Sequence, residues 1–140
     1  MADPIPSSAT DGKAALASRC NDIEAAYEFM LAYAAQGLPT DQGSQSGGQV
    51  REFLRKCDAA LTGLAEAIAT CTDELQLEPS ATYRAFADVV AQDARSAQAA
   101  VQLVLVQESV SSQLIDNLNA STHLRTVLTD LFLISEILKI

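Results

Sequence analysis

The amino-acid sequence predicts an all-α protein, in particular an up-down-like four-helix bundle with one overlong or kinked third helix. Glycine and proline, which tight turns between strands require, are absent from the 61 residues between Ser80 and Ile140. Apolar residues recur at spacings of three and four, the period of an amphipathic helix, rather than at a spacing of two. The chain of 140 residues is long enough for one domain with its own core. We therefore expect a flexible tail at residues 1–12 and a single helical-bundle domain at residues 13–140.

The first two helices are predicted at residues 13–36 and 49–76. Gly37 and Pro39 end the first helix, and residues 38–49, rich in Gly, Ser and Gln, are typical of a flexible loop. The second helix has the most regular heptad pattern in the chain. Its apolar residues alternate between spacings of four and three: Val50, Leu54, Cys57, Leu61, Leu64, Ile68, Cys71 and Leu75.

The last two helices are predicted to differ in length. The third begins at Pro79 or Ser80 and, if unbroken as far as Asn117, would be about 57 Å long, whereas the fourth, at residues 122–139, would be about 27 Å long. Antiparallel neighbours in a bundle have similar lengths, so the third helix should either protrude or break near Ser109–Ser112. Ser121 or Thr122 is predicted to cap the fourth helix.

Two of the three cysteines, Cys57 and Cys71, lie two full heptads apart and therefore project from the same apolar face. In a straight helix they would be about 21 Å apart along the axis, whereas a disulfide requires Cα atoms within about 7 Å. We expect both thiols to be buried apolar side chains. The alternative is a redox or intersubunit role, which would require an exposed thiol whose pKa is lowered by Arg55 or Lys56.

Charge and composition restrict the partners. The formal net charge of −9 disfavours nucleic acid and anionic membrane surfaces. The first residues lack the basic and apolar segments of a secretory signal, and the longest strongly apolar stretch, residues 99–106, is too short to span a bilayer. An odd number of cysteines fits a reducing compartment. We therefore expect a cytoplasmic protein that binds neither nucleic acid nor membranes.

No residue pattern identifies a catalytic, cofactor-binding or metal-binding residue. A di-iron bundle needs Glu-x-x-His pairs on two helices, yet His123 is the single histidine and Ala120 stands three residues before it. The glycine-rich residues 43–48 lack the lysine of a phosphate-binding loop. Neighbouring acids such as Glu24 and Glu28 lie on faces that look solvated. This inventory favours a protein that is not an enzyme.

One short segment carries a resemblance. His123, followed by Leu124 and Arg125, resembles the phosphorylatable histidine of histidine phosphotransfer domains, which are small four-helix bundles with a basic residue near that histidine. The resemblance implies a phosphorelay module that uses His123. It covers three residues, and Thr126 and Val127 stand where a glycine commonly follows.

The C-terminal helix contains more apolar residues than one buried face requires. Nine of the 14 residues at 127–140 are apolar, and Phe132 interrupts a row of otherwise polar residues. Either the third helix or the 38–49 loop covers Phe132, or the helix has a partner-binding surface or homodimer seam. We assign four residues to that surface: Phe132, Leu133, Ile137 and Ile140.

We therefore predict a non-enzymatic protein–protein interaction module, such as an assembly factor, an adaptor or a chaperone. Its partner would be another protein, a second copy of the chain, or both. The alternative is a small-molecule-binding or enzymatic bundle. Its pocket would use the bulky and polarizable residues of the apolar stripes: Tyr27, Met30, Cys57, Tyr83 and Phe86.

Overall fold

A computed structural model describes residues 8–140, which form six helices and no strand. The all-α class is confirmed for these residues, but four helices are not, because the predicted second and third helices each form two. The first helix begins five residues earlier than predicted, inside the expected tail, and residues 1–7 lie outside the described residues. The helices are α1 Ser8–Ala35, α2 Gln45–Leu61, α3 Leu64–Glu74, α4 Ser80–Leu105, α5 Ser112–Ala120 and α6 His123–Leu138.

The break between α2 and α3 lies at Thr62 and Gly63, in the middle of the regular heptad pattern. Gly63 has a φ of +77°, which favours glycine over other residues. Arg19 of α1 donates hydrogen bonds to the carbonyl oxygens of Ala60 and Thr62, and Gln98 of α4 donates to the Asp58 carbonyl over 3.0 Å. Arg19 thereby satisfies two carbonyl groups that the interrupted helix leaves without an amide partner, whereas the Asp58 carbonyl also accepts from the Thr62 amide. The predicted continuous helix at 49–76 is therefore wrong at this point.

The break between α4 and α5, at residues 106–111, overlaps the Ser109–Ser112 segment where the sequence allowed one. Arg51 of α2 determines where α4 ends, because its guanidinium donates to the carbonyl oxygens of Leu105, Gln107 and Glu108 over 3.0, 2.7 and 3.2 Å. Ser111 then caps α5 by accepting a hydrogen bond from the Leu114 amide over 3.0 Å.

The connection between α1 and α2 covers only part of the predicted loop at 38–49 and is held to other helices by hydrogen bonds. The helix α2 begins inside that range, with Ser44 as its N-cap accepting from the Gly47 amide over 3.0 Å. The Asp41 carboxylate accepts a hydrogen bond from Arg51 and another from the Val110 amide, each over 2.8 Å. These contacts join the α1–α2 connection to the α4–α5 connection at one end of the molecule.

A second group of hydrogen bonds joins the same two connections from the core side. Tyr33 donates from its hydroxyl to the Val110 carbonyl over 2.6 Å, and the Ser112 hydroxyl donates to the Tyr33 carbonyl over 2.6 Å. The Leu38 amide also donates a hydrogen bond to the Ser112 hydroxyl, and the Ser112 amide donates one to the Leu38 carbonyl, each over 2.8 Å. Because Tyr33 and Ser112 are buried, these bonds satisfy polar groups that water does not reach.

The core lies between α1 and α4, which contact most of the other helices. The helix α1 packs against α2, α3, α5 and α6, and α4 packs against α2, α3, α5 and α6. Thr122 occupies the predicted N-cap position of α6, but its side chain forms no capping hydrogen bond within the described chain. The largest side chains with no exposed surface include Tyr33, Leu16, Ile23, Met30, Leu54, Leu64 and Ile68.

Candidate functional site: the face formed by α4 and α6

The exposed large apolar side chains of residues 8–140 are concentrated on α4 and α6. Eight such side chains are exposed, and only Leu31 lies on another helix. We call the surface of α4, α6 and the residues directly following each helix the α4–α6 face. Its exposed large apolar residues are Val89, Leu103, Val106, Phe132, Leu133, Ile137 and Ile140.

The two helices run antiparallel along this face. Tyr83 meets Ile137 near one end, and Leu103 meets His123 near the other. A groove of about 280 Å³ lies between the start of α4 and the end of α6. It is lined by Pro79, Thr82, Tyr83, Phe86, Leu133, Ile134 and Ile137, so its only polar lining groups are two hydroxyls. A larger hollow of about 450 Å³ is lined by one helix alone, α2, and includes three charged residues.

The four residues predicted to bind a partner are all exposed, but they lie on two flanks of α6. Leu133 and Ile137 line the groove beside α4, at 56% and 50% exposure. Phe132 is 57% exposed, so neither of the segments expected to cover it does so. Successive helical residues are rotated by about 100°, which turns Phe132 away from the groove toward the other flank.

The five residues of the alternative pocket do not line a common opening. Met30 and Cys57 have no exposed surface and belong to the core. Tyr27 is half-buried against that core. Tyr83 and Phe86 do lie together, but with Leu133 and Ile137 of α6 as their neighbours in the groove.

Two carboxyl groups that the sequence gave no reason to pair meet across the α4–α6 face. Asp93 of α4 adjoins Asp130 of α6, whose Oδ2 atom is buried and finds no hydrogen-bond donor among the described residues. Burial, followed by the proximity of the Asp93 carboxyl group and its negative charge, raises the pKa of Asp130 to about 7. Asp130 therefore keeps its proton in the mildly acidic range and loses it as the pH rises through about 7.

The raised pKa predicts a pH dependence of stability. In an unfolded chain an aspartate has a pKa of about 3.9, so between that value and about 7 the folded state binds more protons than the unfolded state. The contribution of Asp130 to the free energy of unfolding is therefore fully present below about pH 3.9, its pKa in the unfolded chain. It is lost as the pH rises through about 7, its pKa in the folded protein. Asp93→Asn should reduce this loss and make the variant more stable than the wild type at pH 8. Urea unfolding across this pH range measures the difference.

Asp88→Asn is the matched control, because Asp88 is an exposed aspartate on the same helix. Its free energy of unfolding should follow the wild-type curve in parallel. If Asp93→Asn and Asp88→Asn both had the same pH profile as the wild type, the influence of Asp93 on the pKa of Asp130 would be contradicted.

All three cysteines are free and buried, and the heptad pattern predicted this burial for Cys57 and Cys71. Burial, followed by the negative charge of Asp58, raises the pKa of the Cys57 thiol to about 12. Burial also raises the pKa of Cys20 and that of Cys71. The alternative in which Arg55 or Lys56 activates Cys57 is therefore wrong. Within residues 8–140, no three side chains among His, Cys, Asp and Glu are placed to share a metal ion.

Thiol labelling should follow this burial. In the native protein at pH 7, we expect all three thiols to react with an aromatic disulfide reagent far more slowly than in urea, because the reactive thiolate is scarce and inaccessible. The number of thiols released, followed by absorbance, checks this expectation. One thiol that reacts immediately in the native state would contradict it.

His123 is exposed as the first residue of α6, at the end of the α4–α6 face away from the groove. The hollow beside it is lined mainly by apolar and small residues, including Ala100, Leu103, Leu114 and Leu118. Those neighbours do not supply the basic group that a phosphohistidine favours, so the geometry does not add to the resemblance with phosphotransfer domains.

Compared with protein-family models, with curated proteins and with solved structures, the chain gives no significant match. Among the helices described, none combines the length and the apolar character needed to cross a membrane. The α4–α6 face is therefore the feature of the molecule from which a function can be inferred.

Proposed function

We propose that this protein is a non-enzymatic protein–protein interaction module, an adaptor or assembly factor that binds its partner through the α4–α6 face. The observation that carries the proposal is the concentration of exposed large apolar side chains on these two helices. Clustered apolar surface is costly in water and is typical of contact surfaces, whereas single exposed apolar residues are common everywhere.

The shape of the groove supports a side chain or helix of another protein as its occupant. Its volume of about 280 Å³ is at or below the lower limit of small-molecule sites, which is about 300 Å³. Its walls come from two antiparallel helices and are almost entirely apolar. A partner helix can insert apolar side chains at intervals of three and four residues into such a groove.

A photo-crosslinking experiment tests this proposal. A photoreactive phenylalanine derivative replaces Ile137 in one variant and Leu31 in another; the two positions are matched at 50% and 49% exposure. Proteins crosslinked from position 137 but not from position 31 are candidate partners, and each is then purified. Binding to the purified partner should weaken about tenfold or more in Ile137→Asp and remain at the wild-type level in Leu31→Asp.

Two results would overturn the proposal. The first is the same set of crosslinked proteins from both positions. The second is a purified partner whose dissociation constant is the same for wild type and Ile137→Asp. Circular dichroism of each variant checks that the helices are retained.

A further inference from the structure

The outward flank of α6 carries a row of residues whose charges are self-complementary. Arg125, Thr129, Phe132 and Glu136 follow one another at spacings of four, three and four, and all four are exposed. The order of these spacings is the same in both directions along the helix. In an antiparallel pairing with a second α6, Arg125 therefore faces Glu136 of the second copy, and Phe132 faces Thr129.

This pairing satisfies the geometry of a two-fold contact. In such a contact, when residue i of the first copy meets residue j of the second, residue j of the first copy also meets residue i of the second. Arg125 and Glu136 therefore form two equivalent ion pairs about the axis. Phe132 of each copy lies between these pairs, near the axis. Helices pack at about 8–10 Å between axes, a distance at which a phenylalanine that is 57% exposed in one copy becomes covered by the other.

The existing contacts of these residues do not oppose the pairing. Glu136 lies 3.1 Å from Lys139 of its own chain, but both side chains are highly exposed, at 82% and 74%. An exposed pair of this kind contributes little to stability. Glu136 can therefore bind an arginine of a second copy without losing a strong interaction.

The distribution of charge also favours a second copy at this surface. In α4 and α6 with its C-cap Lys139, the charges cancel: Arg84, Arg95, Arg125 and Lys139 balance Asp88, Asp93, Asp130 and Glu136. The whole formal charge of −9 consequently resides on the other parts of the chain. Two copies that meet through the α4–α6 face bring together surfaces without net charge, whereas contacts elsewhere bring together acidic surfaces.

We propose that the chain forms a two-fold homodimer in which the α6 helices pair antiparallel, with Phe132 near the axis and Arg125 bound to Glu136 of the second copy. This rests on the proposed function, because it identifies a second copy as one partner of the α4–α6 face. The groove lined by Ile137 lies on the other flank of α6.

Sedimentation equilibrium with charge-exchange variants tests the pairing. Wild type should show a dimer fraction that rises with concentration, and Phe132→Asp should weaken dimerisation about tenfold or more. Arg125→Glu and Glu136→Arg should each weaken it, because each places like charges opposite one another. The double variant Arg125→Glu with Glu136→Arg exchanges the charges and should recover most of the wild-type association. Arg55→Glu, an exposed charge reversal on α2 and outside the α4–α6 face, is the control and should not change the association.

Recovery in the double variant distinguishes a specific ion pair from a general effect of charge. A wild-type protein that remains monomeric at its highest soluble concentration would overturn the inference. So would a double variant that associates no better than either single variant. Neither result changes how strongly Ile137→Asp and Leu31→Asp bind a separate purified partner. Failure of the dimer is therefore seen in sedimentation, whereas failure of the proposed function is seen in partner binding.

Discussion

Replacing Arg51 with alanine should lower the free energy of unfolding by about 3–5 kcal/mol, because it removes one member of a mostly buried ion pair. The side chains of Arg51 and Asp41 are only 20% and 10% exposed, and Nε lies 2.8 Å from the carboxylate. Burial alone would raise the pKa of Asp41, but hydrogen bonds from Val110 and Arg51 hold that pKa below its ordinary value. The variant would remove the counter-charge of Asp41, which would keep the Val110 amide as a donor, and would leave three backbone carbonyl groups without the Arg51 donor.

Urea unfolding followed by circular dichroism measures this effect, with Arg84→Ala as the control. Arg84 lies 3.7 Å from Asp73 in a pair whose side chains are 67% and 51% exposed. Its removal should change the free energy of unfolding by about 0.5 kcal/mol or less. Equal losses of unfolding free energy in the two variants would show that Arg51 does not hold the α1–α2 connection to the α4–α5 connection.

Replacing Gly47 with alanine should destabilise the protein by about 1–3 kcal/mol or more, although alanine is normally the better helix former. A Cβ atom at this position would collide with the carbonyl oxygen of Asp41 and lie 2.7 Å from its Cα. These are backbone atoms, so no side-chain rotation relieves the contact. The start of α2 would have to move away from the connection that holds Asp41 against Arg51.

Gly48, the next residue in the same helix, provides a control with the opposite sign. No described atom lies within 4 Å of a Cβ added there. Gly48→Ala should therefore stabilise the protein by about 0.5–1 kcal/mol through the lower entropy of the unfolded chain. Thermal unfolding of both variants measures the contrast, and two changes of the same sign would contradict the close approach of Gly47 to Asp41.

Periodicity predicted the helical class and most buried positions, since spacings of three and four depend only on which residues face the core. Val50, Leu54, Cys57, Leu64 and Ile68 are all buried as that pattern requires. The same pattern concealed the break at Gly63, because the apolar spacing continues through it. The carbonyl groups of Ala60 and Thr62 at this break accept hydrogen bonds from Arg19, which comes from a distant part of the chain.

The connections were predicted less well than the helices, for a similar reason. Residues 38–49 have the composition of a flexible linker, and that composition does not reveal the hydrogen bonds that Asp41 accepts from Arg51 and Val110 in the folded chain. The serine-rich composition near Ser109–Ser112 did indicate a place for a break. The precise end of α4, at Leu105, follows from the Arg51 guanidinium.

Part of the candidate site could be predicted from the sequence. The apolar excess of the last helix indicated exposed residues there, and Phe132, Leu133, Ile137 and Ile140 are exposed. The groove and the Asp93–Asp130 pair depend on the antiparallel alignment of α4 and α6. That alignment could not be predicted from either helix alone, because the sequence of one helix does not show which residues of the other it faces.

Hydroxyl-radical footprinting tests most directly whether the α4–α6 face is a contact surface. Oxidation of side chains is measured by mass spectrometry at low and high protein concentration, and with a purified partner bound. We expect protection of Phe132 on self-association and of Leu133 and Ile137 on partner binding, while Leu31, similarly exposed on α1, oxidises at an unchanged rate. Unchanged oxidation of the α6 residues together with protection of Leu31 would contradict the assignment of this face.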